Sequence, residues 1–312
     1  MKLPFDPSDA ALISHGGQSA HSLDQLLPAI RARLSQAGDM PGATVAQQLE
    51  VLEALSSFEL GRFLLTNRGL NAEWTHRLVS YSSADAVANI SPLERMIVEE
   101  LPAVLATRER YGVFRQQLQL LLRPGLVLAS LPCGLMGELL SLDYCGLADV
   151  GLVGVDLDPA ALAGAQTLAR RNGLAERLTL HCRDAWSGLG QAPVDVLTSN
   201  GLNIYEPDDA RVVALYRAFH AALKPGGTLL TSFLTPPPTL SPASPWRMEQ
   251  LDPAALALQY LLFVRIIEAK WSAFRTHEQT RNQLEQAGFT DIRFIDDRAC
   301  LFPTVLACKP RD

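Results

Sequence analysis

The feature that most constrains the fold is a pair of apolar runs, the first leading into a Pro-Cys-Gly turn and the second ending in an acid. The first run is Leu126-Val127-Leu128-Ala129, and about twenty residues later Gly151-Leu152-Val153-Gly154-Val155 ends on Asp156. Such runs are typical of buried parallel strands, and the turn brings backbone close to a ligand. A carboxylate at the tip of the second strand is well placed to accept hydrogen bonds from both hydroxyls of a ribose.

Composition favours a globular protein with a sizeable core. Of the 312 residues, 48% are hydrophobic and 19% are charged, and the net charge is −6. The acidic balance and the scattered arginines predict no nucleic-acid partner. No apolar run reaches the roughly 18 residues that a membrane span needs, so no membrane partner is expected. The first residues lack the pattern of a secretory signal, which predicts a cytoplasmic location.

Cysteine and histidine usage gives no sign of a metal centre. The five cysteines form no C-x-x-C pair and the six histidines are dispersed. Buried, reduced thiols are therefore expected rather than disulfides or zinc ligands. The sequence predicts no metal.

The pattern of the chain changes near residue 108. Residues 1 to about 20 read as a tail, and 22–110 show helical spacing without a convincing strand, so 1–107 are predicted to form a tail and an all-helical cap or lid. Beyond that point strands and helices alternate, which predicts a parallel, doubly wound sheet. Residues 108–312 are thus expected to form a Rossmann-like α/β domain, with an insertion at about 235–270.

The second part is predicted to contain seven strands, the last of them antiparallel. The segment Leu223-Lys224-Pro225-Gly226-Gly227 is expected to be a tight turn. Strands are expected near 126–130, 152–156, 177–182, 194–199, 227–234, 291–295 and 304–308. Helices are expected near 108–122, 137–144, 159–172, 207–222, 253–270 and 277–287. The amphipathic helix at 253–270 could pack on its own sheet or on a second subunit, so monomer and homodimer both stay open.

Several motifs, in order, resemble those of the class I S-adenosylmethionine-dependent methyltransferases over about residues 108–310. SLPCGLMGE is similar to the family's acidic-x-Gly-x-Gly-x-Gly loop, and VGVDLDP places Asp156 at the position of its ribose-binding acid. LHCRDAW places Asp184 at the position of the residue that accepts from the adenine amino group. SNGLNIYE, LKPGGTLL and the closing AGFTDIRFIDD…FPTVLACKP resemble the later strands. The resemblance implies S-adenosylmethionine as the cofactor and a small-molecule acceptor as the partner.

The resemblance also implies which residues form the cofactor site. They are Ser130, Pro132, Cys133, Gly134, Met136, Asp156, Leu157, Asp184, Ala185, Trp186, Asn200 and Gly201. Asp184 could instead only cap a turn, and Trp186 could only fill core. A nicotinamide-binding domain is the competing interpretation of the glycine loop, but it would not explain Asp184-Ala-Trp or the antiparallel ending. No Gly-Lys-Ser/Thr follows the turn, which excludes a P-loop.

Four residues are candidates for a role in catalysis. Asn203 and Tyr205 follow the fourth strand, where the family has residues near the reacting methyl group. Tyr205 could orient a nucleophile, take a proton or place its ring near the sulfonium. In the cap, Arg68 could bind a carboxylate and Trp74 could face a cation. The alternative for this cap segment is a surface turn with a tryptophan that anchors the core.

Two departures from the family pattern keep three functions open. Ser130 stands where the family usually has an acid that helps to hold the cofactor's α-ammonium group, and Met136 stands at the usual third glycine. The first function is methyl transfer to a small molecule by in-line displacement under the helical lid. The second is a cyclase that consumes S-adenosylmethionine and forms azetidine-2-carboxylate and methylthioadenosine, because a missing acid would favour a neutral, free amine. The third is a non-catalytic S-adenosylmethionine-binding protein.

Overall fold

The structure is a computed structural model that describes residues 22–82, 90–190 and 192–311. The predicted tail, from residue 1 to about 20, lies outside the described residues. Within these ranges no helix is long and apolar enough to cross a membrane.

The described residues form two compact units. The first, which we call the sheet unit, consists of Glu109–Trp246 and 272–311. The second, which we call the helical unit, consists of 22–108 and Arg247–Trp271. The division between them falls within one long helix, Pro102–Leu121.

The sheet unit contains a seven-stranded mixed sheet. Its strands are β1 (Val127–Ser130), β2 (Gly151–Asp156), β3 (Leu178–Cys182), β4 (Val194–Ser199), β5 (Leu223–Ser232), β6 (Thr290–Ile295) and β7 (Thr304–Cys308). They lie in the order β3-β2-β1-β4-β5-β7-β6. Strands β1 to β5 are parallel, whereas β7 runs antiparallel to both β5 and β6. This arrangement confirms the predicted Rossmann-like fold class.

Alternating side chains give the sheet two apolar faces. Leu128, Leu152 and Leu230 pack into one core cluster, and their neighbours Ala129 and Leu229 pack into another. Successive residues of a strand point to opposite faces, so continuous apolar runs are buried on both sides. Helices cover these faces. They are α6 (Pro102–Leu121), α7 (Gly137–Leu140), α8 (Pro159–Arg171), α9 (Asp209–Ala222) and α11 (His277–Gln286).

The helical unit has its own core, formed by leucines such as Leu52, Leu60 and Leu64 together with Ile97. Met40 and Ala43 form an isolated bridge, and no strand occurs among the described residues of this unit. Its helices are α1 (Leu23–Ala37), α2 (Val45–Ser56), α3 (Glu59–Asn67), α4 (Ala72–Ser80), α5 (Pro92–Glu99) and α10 (Pro253–Gln259), followed by a π-helix, Tyr260–Ile266.

Three predicted segments differ from the structure. The expected turn at 223–227 belongs to β5, because the Gly226 N–H donates to Lys309 O (3.0 Å) and the strand pairing shifts register there. The helix expected at 137–144 ends at Leu140, where the Ser141 hydroxyl donates to Gly137 O (2.6 Å) and competes for that carbonyl. The helix expected at 253–270 is α-helical only to Gln259 and then widens into the π-helix.

Candidate functional site

Asp156 ends β2 and ties the following turn to the glycine loop. Its Oδ2 accepts from the Gly134 N–H at 2.8 Å and its Oδ1 accepts from the Asp158 N–H at 2.9 Å. The residue is 9% exposed, and burial raises the pKa of its carboxyl above the ordinary value. Each carboxylate oxygen has two lone pairs, so both retain capacity for a further donor. Two hydroxyls of a ribose would use that capacity.

The loop between β1 and α7 is held by backbone bonds and turns through two left-handed residues. The Cys133 N–H donates to Val155 O at 2.8 Å, and Gly134 and Met136 have φ values of +50° and +55°. The left-handed region disfavours residues that carry a Cβ, which explains why the family has glycine at the position of Met136. The Met136 side chain is 0% exposed and packs beside Gly154. Its backbone, not its side chain, is therefore what the loop offers to a ligand.

Ser130 does not stand alone at the position of the missing acid. Its hydroxyl donates to Glu138 Oε1 at 2.7 Å, and the Thr198 hydroxyl donates to the same oxygen at 2.9 Å. Glu138 is 4% exposed, and burial raises the pKa of its carboxyl. A carboxyl group thus reaches the end of β1 from α7, a feature that the sequence analysis missed. The sequence did contain an indication of this carboxyl group, because Glu138 is the acidic last residue of the SLPCGLMGE motif.

A second missed residue is Arg110, in α6. Its guanidinium is buried beside the ends of β4 and β5, where Nη1 donates to Ser232 Oγ at 3.2 Å. The guanidinium carbon lies 5.1 Å from the centre of the Phe302 ring. Burial lowers the pKa of Arg110 to about 10, against the charges of Glu138 and other neighbours. Nothing in the local sequence indicated that this helical arginine turns inward.

The loop after β4 carries the other predicted residues of the sheet unit. Gly201 has φ +80°, and Asn200 is half-buried. The Asn203 amide donates to the Tyr216 hydroxyl at 2.9 Å and is buried, so its side chain is engaged within the core. Burial raises the pKa of Tyr205, while Arg110 acts to lower it. Tyr205 therefore remains protonated near neutral pH and can donate a hydrogen bond.

Asp184, Ala185 and Trp186 form the turn after β3. Asp184 caps a short 3₁₀ helix, Ala185–Ser187, by accepting from the Trp186 N–H at 3.1 Å. The Trp186 indole N–H donates to Arg211 O at 2.9 Å, and the Arg211 guanidinium lies 5.0 Å from the centre of its ring. The capping role expected as the alternative for Asp184 is thus present. An adenine-binding role for these residues stays a prediction.

The predicted residues of the cap belong to the helical unit and have partners there. Arg68 ends α3 in the left-handed region, and its Nε donates to Glu268 O at 2.9 Å. Trp74 packs 6.2 Å from the Phe63 ring, and the Arg77 guanidinium lies 4.8 Å from its centre. The cation beside Trp74 is thus the protein's own Arg77. Catalytic roles for Arg68 and Trp74 stay predictions.

One group of described residues has the spacing of a metal site. His277, Asp296 and Cys300 bring potential ligand atoms within 4.8 Å of one another. His277 Nε2 already lies 2.8 Å from Asp296 Oδ1, and the His277 ring packs edge-on against Phe233 and Phe294. These contacts account for the position of the His277 ring without a bound metal ion. The expectation of no metal stays a prediction.

Comparison with known proteins identifies the class. A model of the methyltransferase domain matches residues 133–227. A "possible exported protein" from Bordetella parapertussis is 59% identical, with a TM-score of 0.89 over 92% of this chain and 95% of that chain. No curated protein matches the sequence significantly.

Weaker structural likenesses include the S-adenosylmethionine-dependent methyltransferase SibL and the pyocyanin biosynthetic protein PhzM. SibL is 18% identical (TM-score 0.47, 70% of this chain, 62% of that one). PhzM is 17% identical (TM-score 0.46, 66% of this chain, 57% of that one). Likeness of this degree says nothing about substrate.

The domain match includes Gly134, Asp156 and Asp184, and the last strand, β7, is antiparallel as predicted. Residues 133–227 thus match a methyltransferase domain, and the sheet unit has the fold of the class I S-adenosylmethionine-dependent methyltransferases.

Proposed function

We propose that the protein is an S-adenosylmethionine-dependent methyltransferase that acts on a small molecule. The observation that carries the proposal is the buried Asp156 carboxylate, which bonds to the glycine loop while retaining acceptor capacity. An acid at the tip of β2 beside a backbone turn suits the ribose of an adenosine-containing cofactor. The match of residues 133–227 to a methyltransferase domain supports the choice of S-adenosylmethionine.

The chain's own residues would position the reactants. S-adenosylmethionine, when bound, supplies a methyl group that its sulfonium has already activated. Asp156 would accept from the ribose hydroxyls, and the loop of Gly134 would offer its backbone. Tyr205 would orient the acceptor by donating from its hydroxyl, because its raised pKa keeps that hydroxyl protonated near neutral pH. Alignment and exclusion of water account for the catalysis that such a displacement needs.

The acceptor, the location and the assembly belong to the same proposal. A net charge of −6 argues against nucleic-acid acceptors, so a small molecule is the proposed partner of a monomer or homodimer. We place the protein in the cytoplasm, although the 59% identical relative is described as a "possible exported protein". Fractionation of cells that produce the native chain tests this, since recovery outside the cytoplasm would refute it.

A second candidate function is cyclisation of S-adenosylmethionine to azetidine-2-carboxylate with release of methylthioadenosine. One observation favours it. The residue at the family's acid position, Ser130, is neutral, and the nearest carboxyl, Glu138, is buried with a raised pKa. Such a site would stabilise an α-ammonium less than an exposed carboxylate does, and the cyclisation needs a neutral amine. Against it, the Met136 side chain is 0% exposed and packs beside Gly154, so it does not project from the loop.

One experiment separates the candidates. Purified protein is incubated with S-adenosylmethionine carrying a deuterated methyl group, first alone and then with a panel of small-molecule acceptors, and the products are analysed by mass spectrometry. Controls are a sample without protein and the Asp156→Asn variant. A labelled acceptor that the variant does not produce supports the methyltransferase. Enzyme-dependent methylthioadenosine with a four-membered-ring amino acid identifies the cyclase instead, and binding without any turnover identifies a non-catalytic binder.

A further inference from the structure

Arg110 is a buried cation at the edge of the sheet where open α/β folds bind their ligands. It is 7% exposed, and its neighbours are the residues that end or begin strands at that edge. Nη1 donates to Ser232 at the end of β5, and a Cβ added to Gly201, after β4, would lie 3.3 Å from Nη1. Phe302, just before β7, packs on the guanidinium. Arg110 thus lies on the β4–β5–β7 half of the sheet, whereas Asp156 ends β2 and Asp184 follows β3.

The hydrogen-bonding capacity of this guanidinium is largely unused. A guanidinium has five N–H donors, and among the described residues Arg110 has one hydrogen bond and no salt bridge. Its Nε is buried without a partner. A buried charge with unpaired donors is costly, so a protein retains one where a ligand or a function completes it.

The two acids that act on Arg110 electrostatically do not use these donors. Glu138 Oε1 accepts from two hydroxyls. Asp297 accepts from the N–H groups of Ala299, Leu301 and Phe302. Both acids stabilise the cation from a distance and form no hydrogen bond with it, so Nη1, which donates to Ser232, is the one nitrogen of the guanidinium with a hydrogen bond among the described residues.

We propose that Arg110 binds the carboxylate of a small-molecule ligand at the carboxyl edge of the sheet unit. A planar fork with parallel donors matches a carboxylate in geometry as well as in charge. The proposal rests on the proposed function, because it adds a substrate class to the same edge of the sheet. The carboxylate has two possible sources, the methyl acceptor or the methionine end of S-adenosylmethionine. The position of Arg110 on the β4–β5–β7 half favours the acceptor.

The first arm of the test concerns the cofactor's own carboxylate. Isothermal titration calorimetry compares S-adenosylmethionine with its decarboxylated form, in the wild type, Arg110→Gln, Arg110→Lys and Arg123→Gln. Arg123 is an exposed arginine just beyond the same helix and serves as the matched control. If the cofactor is the source, the wild type prefers the carboxylate form by about tenfold or more. Arg110→Gln removes the preference, Arg110→Lys keeps part of it, and Arg123→Gln leaves it unchanged.

The second arm concerns the acceptor. A panel of small carboxylic acids and their primary amides is titrated into the same proteins, with and without S-adenosylhomocysteine. If the acceptor is the source, the wild type binds at least one acid about tenfold more tightly than its amide. Arg110→Gln abolishes that difference while its affinity for S-adenosylmethionine stays within about twofold of the wild type, which a general loss of structure would not allow.

Carboxylate discrimination that depends on Arg110 in either arm supports the proposal and identifies the source. Absence of discrimination in both arms of the wild-type protein overturns it, and so does discrimination that Arg110→Gln retains. If Arg110→Gln fails to fold, the conservative variant Arg110→Lys decides in its place: a weakened discrimination supports the proposal, and a discrimination equal to that of the wild type overturns it. A wild type that binds no adenosyl compound would refute the proposed function, while the panel without nucleoside would still decide on Arg110.

Discussion

At the scale of single residues, the site differs from the family pattern mainly in which residue supplies the acid near the end of β1. Ser130 replaces an acid, yet its hydroxyl donates to Glu138, which comes from the next helix. The sequence singled out Asp156 and Asp184 as candidates because the first ends β2, the second follows β3, and each lies within a contiguous motif. It did not locate Arg110, since 16 residues lie between Arg110 and the start of β1 and a helical pattern does not say which polar residue turns inward.

The stability of the protein should depend on pH through Glu138. Burial raises the pKa of this carboxyl above 4.5, so between 4.5 and the raised pKa the folded chain binds more protons than the unfolded chain. Stability from this group is therefore lost as the pH rises through that window. Glu138→Gln removes the titration while its amide oxygen can still accept from both hydroxyls. Its melting temperature relative to the wild type should rise by up to a few degrees as the pH increases from about 4.5 through the raised pKa.

Differential scanning calorimetry across that pH range measures the effect, with Glu176→Gln as a control. Glu176 is exposed, so its substitution should leave the pH dependence of the melting temperature unchanged. A difference between Glu138→Gln and wild type that stays constant or shrinks with rising pH would contradict the assignment of a raised pKa.

At the scale of elements, the close packing of β2 beneath the glycine loop fixes the loop's shape. A Cβ added to Gly154 would lie 2.6 Å from both Leu180 Cδ2 and Met136 Sδ. One added to Gly151, on the same strand, would make only ordinary contacts of 3.5 Å or more with Val127. The two glycines thus offer a matched pair.

Gly154→Ala should destabilise the protein by about 1–3 kcal/mol, because leucine and methionine side chains in a filled core must move. Gly151→Ala should cost distinctly less. Urea unfolding followed by circular dichroism measures both. Equal losses in the two variants would show that the crowding beneath the loop is not what the structure describes.

The loop after β4 depends on one buried arginine. Arg275 donates to Asn203 O at 2.9 Å, to Glu206 O at 2.7 Å and to Asp209 Oδ1 at 3.0 Å. It therefore connects the loop that carries Tyr205 to the first turn of α9. Its planar fork suits these divergent acceptors, which a lysine could not satisfy together.

Arg275→Met should cost about 2–4 kcal/mol, because two buried carbonyls lose their donors. Hydrogen exchange read by mass spectrometry should speed up in 200–206 and remain unchanged in β1. Arg217→Met, at an exposed position on α9, is the control and should change neither. Unchanged exchange in 200–206 for Arg275→Met would mean that the loop is held by other contacts.

At the scale of the whole molecule, the sheet could be predicted because each strand and helix has a local sequence pattern, and these patterns recur along the chain. Each strand is a largely apolar run and most of the connections between parallel strands contain an α-helix, so all seven strands lie near their predicted positions. The π-helix and the early start of α6 at Pro102 were not predictable, because tertiary partners determine them. One such partner is Gln259, whose side chain accepts from the Ala103 N–H at 2.6 Å.

The central claim is that this sheet edge binds S-adenosylmethionine through Asp156. The most direct test is isothermal titration calorimetry of S-adenosylmethionine with wild type, Asp156→Asn and Asp158→Asn. Asp158 lies two residues away and caps α8, a role that asparagine can also fill, so it matches the change in charge. We expect one-to-one binding by the wild type, a loss of about tenfold or more in Asp156→Asn, and little change in Asp158→Asn. No binding by the wild type, or equal affinity in Asp156→Asn, would contradict the account.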